Sequence, residues 1–237
     1  MKNINKSVLA ITLVLTVGSI VGIGQDKIKA SSGQYQELLV GVDQNKGVVT
    51  GFYENATGWD EEVKAPRFVC SFYLYGEREG DSFKIVTWWP GDDLEDSING
   101  YLTFNADGSV SVRLEGEHGG CWNVNHFADK DRPNNHALDK PGVWTSIRLV
   151  KARRAYFYNK PNEQIRKRAY LTKGNAIRVF SQTPGWVLAE YGDEKISKGW
   201  IKESDLFDLK PTSKRKQGIR HAVLPNKISR LRQQETS

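Results

Sequence analysis

The run Gly100-Tyr-Leu-Thr-Phe104, the turn Asn105-Ala-Asp107-Gly108 and the run Ser109-Val-Ser-Val-Arg-Leu114 constrain this chain more than any other feature. An Asp-Gly pair between two alternating runs is the strongest short-range hairpin signal, because glycine supplies the positive φ that a tight turn needs. Within the second run, Val110, Val112 and Leu114 point one way and Ser111 and Arg113 the other. Comparable runs occupy Lys46–Tyr53, Phe68–Gly76 and Phe83–Trp89, bounded by turn-rich stretches. No convincing 3.6-residue pattern interrupts them. Short strands at a spacing of roughly ten residues predict an antiparallel barrel or sandwich. Seven Trp, nine Tyr and nine Phe against a single Met fit a β protein with a real core.

Charge divides the chain further. The net charge of +6 conceals three blocks. Residues 31–142 hold 9 Lys/Arg against 19 Asp/Glu, a net of −10. Residues 143–209 hold 13 against 7, a net of +6, and the stretch from Lys210 holds eight against one, a net of +7. This asymmetry predicts an acidic β domain over 31–142, a second β unit over 143–209 and a basic tail over 210–237 without fixed structure. The polar run Asp129–Gly142, with two prolines, reads as a loop or linker between the domains.

The start of the chain reads as an export signal. Lys2 and Lys6 precede the apolar run Ser7–Val17, and small residues follow. Cleavage is expected after Gly24 or after Ala30. The apolar stretch Ser7–Gly24 is 18 residues long and rich in Gly, Ser and Thr, marginal for a membrane span. After its removal no integral membrane segment is expected, and the protein is expected to be periplasmic or secreted. In such a space an isolated cysteine pair bridges, so Cys70 and Cys121 are expected to form a disulfide.

The densest chemical cluster is Glu115-Gly-Glu-His118-Gly-Gly-Cys121-Trp-Asn-Val-Asn-His126. A nucleophilic Cys121 would need to be a thiolate beside a base, which a bridge to Cys70 forbids. His118 and His126 are weak candidate zinc ligands, since their spacing matches no zinc motif. Glu115 and Glu117 would share a face if they lay on a strand, which leaves a carboxylate pair open. Asp92, Asp93, Glu95 and Asp96 form an acidic turn without the spacing of a calcium loop. Neither G-x-S-x-G nor H-E-x-x-H occurs. No cofactor is expected.

The second unit carries four ordered features. They are Tyr156-Phe-Tyr158-Asn-Lys-Pro161, then Leu171-Thr-Lys-Gly-Asn-Ala-Ile-Arg-Val179, then Gly185-Trp186-Val187 through Tyr191, then Gly199-Trp200-Ile201 through Leu206. In this order they resemble the bacterial SH3 domain over about residues 147–209. The resemblance implies a small five- to six-stranded barrel of a kind that binds peptides or cell-wall components and rarely catalyses. The N-terminal half resembles only exported proteins of no assigned activity that end in such a barrel.

Tyr156, Tyr158 and Tyr191 are candidates to line a groove, because tyrosine pairs an apolar face with a polar tip. Trp186 and Trp200 are further ligand-binding candidates, with a place in the core or at the lip as the alternative. Arg154 and Arg168, with Arg153 and Arg166 nearby, would make the groove basic and suited to carboxylate-bearing ligands. The expectation is therefore an exported, non-catalytic binding protein of the bacterial envelope. Its partner would be cell-wall glycan or peptide, or another protein; export argues against nucleic acid. The alternatives are a wall hydrolase targeted by such a barrel, and an inhibitor or immunity-type protein for a cationic hydrolase.

Overall fold

A computed structural model describes residues 29–89 and 96–210. The expected export signal, the acidic residues Asp92, Asp93 and Glu95, and the tail beyond Lys210 lie outside these described residues. The chain is mainly β, with two antiparallel sheets.

The larger sheet contains β1 (Gly33–Tyr35), β2 (Leu38–Asp43), β3 (Val48–Asp60), β4 (Ala65–Glu79), β5 (Ser82–Trp88), β6 (Ile98–Phe104) and β7 (Val110–Leu114) as successive neighbours. The Asp-Gly turn joins β6 to β7 as the sequence requires. Gly108 has φ of 83°, and the Asp107 carboxylate accepts hydrogen bonds from the backbone N–H and hydroxyl of Ser109.

The polar run read as a linker instead supplies both edges of this sheet. β8 (Asn134–His136) pairs with β7, and β9 (Lys140–Pro141) pairs with β1. From His136 to Lys140 the chain reaches at most about 14 Å. The two edges therefore lie close together, and the sheet curls into a barrel-like half-cylinder rather than a sandwich. These strands were illegible because edge position, not side-chain character, makes them strands.

Alternation fills the concave side. Tyr35, Leu38, Val40, Tyr53, Phe72, Leu74, Phe83, Leu102, Val112 and Phe127 are all buried. Tyr53 stacks on Phe72 at 5.2 Å, and Phe127 meets both rings edge-on at 4.8 and 5.0 Å. The interior is thus a packed core.

The smaller sheet is ordered β10 (Ser146–Leu149), β13 (Ala176–Thr183), β14 (Trp186–Tyr191), β15 (Ser197–Lys202), β11 (Ala155–Tyr158) and β12 (Arg166–Leu171). A bridge from Val150 to Leu206 links the segment after β10 to the one-turn 3-10 helix after β15. Ala155, Phe157, Leu171, Ile177, Val179, Val187, Ala189 and Ile201 form its own buried core.

A third apolar cluster joins the sheets. Tyr73, Trp88, Trp144, Ile147 and Leu149 are buried there, with Phe52, Phe180 and Phe207 packed against them. The buried polar atoms at this junction are paired. Trp144 Nε1 donates to Val40 O at 2.7 Å, Tyr73 Oη donates to Ile147 O at 2.7 Å, and Ile147 N donates to Thr50 Oγ1 at 2.8 Å. A Cβ on Gly41 would sit 2.6 Å from Ser146 Cα, so only glycine lets β2 approach β10 this closely. Among the described residues no helix is long and apolar enough to cross a membrane.

Candidate functional site

The cysteine-bearing loop follows β7 and lies against the base of a long β-ribbon. Cys70 on β4 is bridged to Cys121, with Cα atoms 4.4 Å apart and a sequence separation of 51. Both are buried. The bond removes Cys121 as a thiolate nucleophile. A 3-10 turn at Cys121–Asn123 sits against the ribbon, where Thr57 Oγ1 donates to Asn123 O at 2.9 Å. Gly120 enters this turn with φ of 83°, and a Cβ there would meet Val69 O at 2.6 Å.

The histidines of this loop do not converge. His118 stacks on Phe72 at 5.2 Å, and its Nε2 is 2.7 Å from Thr87 Oγ1. The Thr87 hydroxyl donates to Ile98 O, so its oxygen accepts from Nε2–H. Burial lowers the His118 pKa, with Glu117 opposing. His126 instead is exposed and meets Trp122 edge-to-face at 4.4 Å. Among the described residues no three His, Cys, Asp or Glu side chains come together as a metal site. Nor do Glu115 and Glu117 pair. The strand ends at Leu114, Glu115 is exposed, and Glu117 turns inward, where its Oε1 accepts from Ala128 N at 2.8 Å.

The ligand candidates of the smaller sheet separate by strand alternation. Ala155 and Phe157 are core residues, so Tyr156 and Tyr158 lie on the other face, where Tyr156 is half-buried and Tyr158 is buried beneath its neighbours. Val187, Ala189 and Ile201 likewise leave Trp186 and Trp200 on the outer face. Tyr158 meets Trp186 edge-on at 4.9 Å, and Tyr158 lies opposite Trp200 in the sheet. Tyr191 is five residues beyond Trp186 and belongs to the opposite face, so it does not join this group.

At the sheet edge the residues form a ladder. Arg154 lies over the Tyr170 ring at 4.9 Å, Tyr170 packs on Tyr156 at 5.5 Å, and Arg166 lies over Tyr156 at 4.4 Å. The ring faces carry negative potential and so hold the guanidinium groups in place. Among the described residues, none of Arg153, Arg154, Arg166 and Arg168 pairs with a carboxylate. By contrast, Lys202 beneath the same face is held by Glu163 at 2.7 Å. Arg168 is exposed on the bulged part of β12 and stays outside the ladder. Tyr170 was missed from sequence because that bulge offsets β11 against β12; once the hairpin is placed, its position opposite Tyr156 finds it.

Two hollows flank the cysteine-bearing loop. One of about 420 Å³ includes Tyr101, Arg113, Glu115 and Lys130. Another of about 280 Å³ lies between His126 and Asn134. No family model, no curated protein and no solved structure matches the chain.

Proposed function

We propose that this is an exported, non-catalytic binding protein of the bacterial envelope. Its smaller sheet, read as a bacterial SH3-type barrel, would hold carboxylate-bearing wall glycan or peptide. One observation carries the reading: the Arg154–Tyr170–Tyr156–Arg166 ladder presents two oriented guanidinium groups that pair with no carboxylate among the described residues. A guanidinium fork matches a carboxylate in shape and charge. Flat rings beside it offer an apolar bed for the rest of the ligand. The net +6 of residues 143–209 would draw anionic polymer toward this face.

Co-sedimentation of the full mature chain with insoluble peptidoglycan tests the reading. The R154A/R166A double substitution should weaken binding about tenfold or more, which corresponds to about 1.4 kcal/mol. Added salt should weaken the unsubstituted chain in the same direction. Undiminished binding by the double variant would overturn the reading.

A second reading, inhibition of a cationic hydrolase, draws on the acidic sheet. On β3 it is Val48–Tyr53 that pairs with β2, and on β4 it is Tyr73–Glu79 that pairs with β5, so the residues between Tyr53 and Tyr73 project as a two-stranded ribbon. Its end exposes Trp59, Val63 and Phe68. Such a ribbon suits insertion into a partner's cleft.

A further inference from the structure

The loop braced by the disulfide carries an exposed indole beside a polar hollow, and neither is used by the ladder on the smaller sheet. Trp122 is 65% exposed although its neighbour Cys121 is fully buried and bridged. The backbone around it is fixed. Val124 N and Asn125 N both donate to Cys121 O at 2.8 Å, and Asn123 O is held by Thr57. The indole therefore stands on a rigid base, and a large exposed ring at such a position costs solvation without adding to the core.

The hollow beside it is lined by Asn125, His126, Asp129, Arg132, Asn134 and Asn135. Its floor is preorganised. Asn125 and Asn134 exchange amide hydrogen bonds at 2.8 and 2.6 Å. Asn125 also donates to Tyr53 Oη at 3.3 Å, and Asn134 donates to His126 O at 3.1 Å. The amide donors are thereby occupied, but each side-chain carbonyl keeps a lone pair. Around the rim, Arg132 has no ion pair among the described residues. Asp129 holds only the backbone N–H of Asp131, through Oδ1. His126 stands at 84° to the Trp122 ring, and at 65% exposure the indole keeps open surface.

We infer that this hollow is a carbohydrate-binding site, with a pyranose ring laid on Trp122 and its hydroxyls bonded to Asp129, Arg132 and the asparagine carbonyls. The chemistry matches on both sides. The C–H face of a pyranose is weakly positive and apolar, and it complements the negative face of an indole. Its hydroxyls both donate and accept. A carboxylate, a guanidinium and amide carbonyls on fixed backbone satisfy both roles without reorganisation. Small size and openness fit one terminal or internal sugar rather than a buried chain.

The test titrates the full mature chain with short soluble oligomers of glucose, N-acetylglucosamine and galacturonic acid, followed by calorimetry and by the side-chain amide NMR signals of Asn125 and Asn134. Saturable binding to at least one series is expected. W122A should weaken that binding about tenfold or more, with an unchanged melting temperature because the indole is exposed. R154A/R166A should leave it intact, which separates this site from the ladder. R132Q tells a carboxylated sugar from a neutral one by whether the galacturonate series suffers more than the others. No binding to any series, or binding that survives W122A, overturns the inference.

Discussion

The two sheets use their aromatic residues in opposite ways. In the larger sheet Tyr35, Tyr53, Phe72, Phe83 and Phe127 point into the curl and are fully buried, and the surface outside is acidic. In the smaller sheet the buried core is mostly aliphatic, while Tyr156, Tyr170, Trp186 and Trp200 lie on the outer face among cations. Ring count alone would rank both units as equally well packed. Placement distinguishes them: rings turned inward stabilise the core, and rings turned outward lie beside arginines that have no carboxylate partner among the described residues. The larger sheet differs again by exposing single aromatics: Trp59 at the end of the ribbon, Tyr101 on β6, and Trp122 beside the disulfide.

This contrast can be broken first at the junction. Trp144→Ala should remove up to about 5 kcal/mol, since it empties a buried indole volume and orphans the Val40 carbonyl. Calorimetry should then resolve two transitions if each sheet has a core of its own, and a single lower transition if neither stands without the other. Next in size is the disulfide. The C70A/C121A double substitution should destabilise by about 4 kcal/mol in the chain-entropy picture. Hydrogen exchange should place that loss in β3, β4 and the Cys121 turn, and leave the smaller sheet protected. Tyr73→Phe deletes one buried donor to Ile147 O and should cost about 1–2 kcal/mol, read from denaturant midpoints.

The smallest effect concerns protons and the larger sheet alone. His136 is buried between the Tyr53 and Phe127 rings, and its Nδ1 is 3.8 Å from Glu37 Oε2. Burial lowers its pKa below the ordinary 6.5, against the pull of Glu37. The unfolded chain therefore takes up a proton that the folded chain resists. Stability is complete above about pH 6.5 and falls as the solution is acidified toward 5. His136→Phe should flatten that decline, leaving the share due to His118. Melting curves across this range check it.

Much of this architecture was legible. Turn residues and alternation located β3 to β7, apart from the projecting ends of β3 and β4, and located β11, β13, β14 and β15 of the smaller sheet, because a half-buried strand writes its pleat into side-chain polarity. The bridge was legible from the count of two cysteines together with the expectation of export. The strands built from Asn134-Asn135-His136 and Lys140-Pro141 were not, since their side chains carry no pattern and closure of the curl alone makes them pair. Of the ligand candidates, Tyr156 and Arg154 meet in the ladder, and Tyr158, Trp186 and Trp200 share its face. Tyr191, exposed at the end of β14, falls on the other face by simple parity, which the residue spacing already contained. Trp122 passed as part of a catalytic-looking cluster. Its role depends on how far the neighbouring cysteine is buried, and that is a property of the folded state.

The tripeptide 137–139 works as a latch. Gly33 meets Pro141 across 108 positions of chain. Contacts so distant in sequence form slowly. Until the latch shuts, both rims of the sheet are open to foreign strands. A single proteolytic nick between Ala137 and Asp139 would release both rims together and return the molecule to that vulnerable, half-assembled condition.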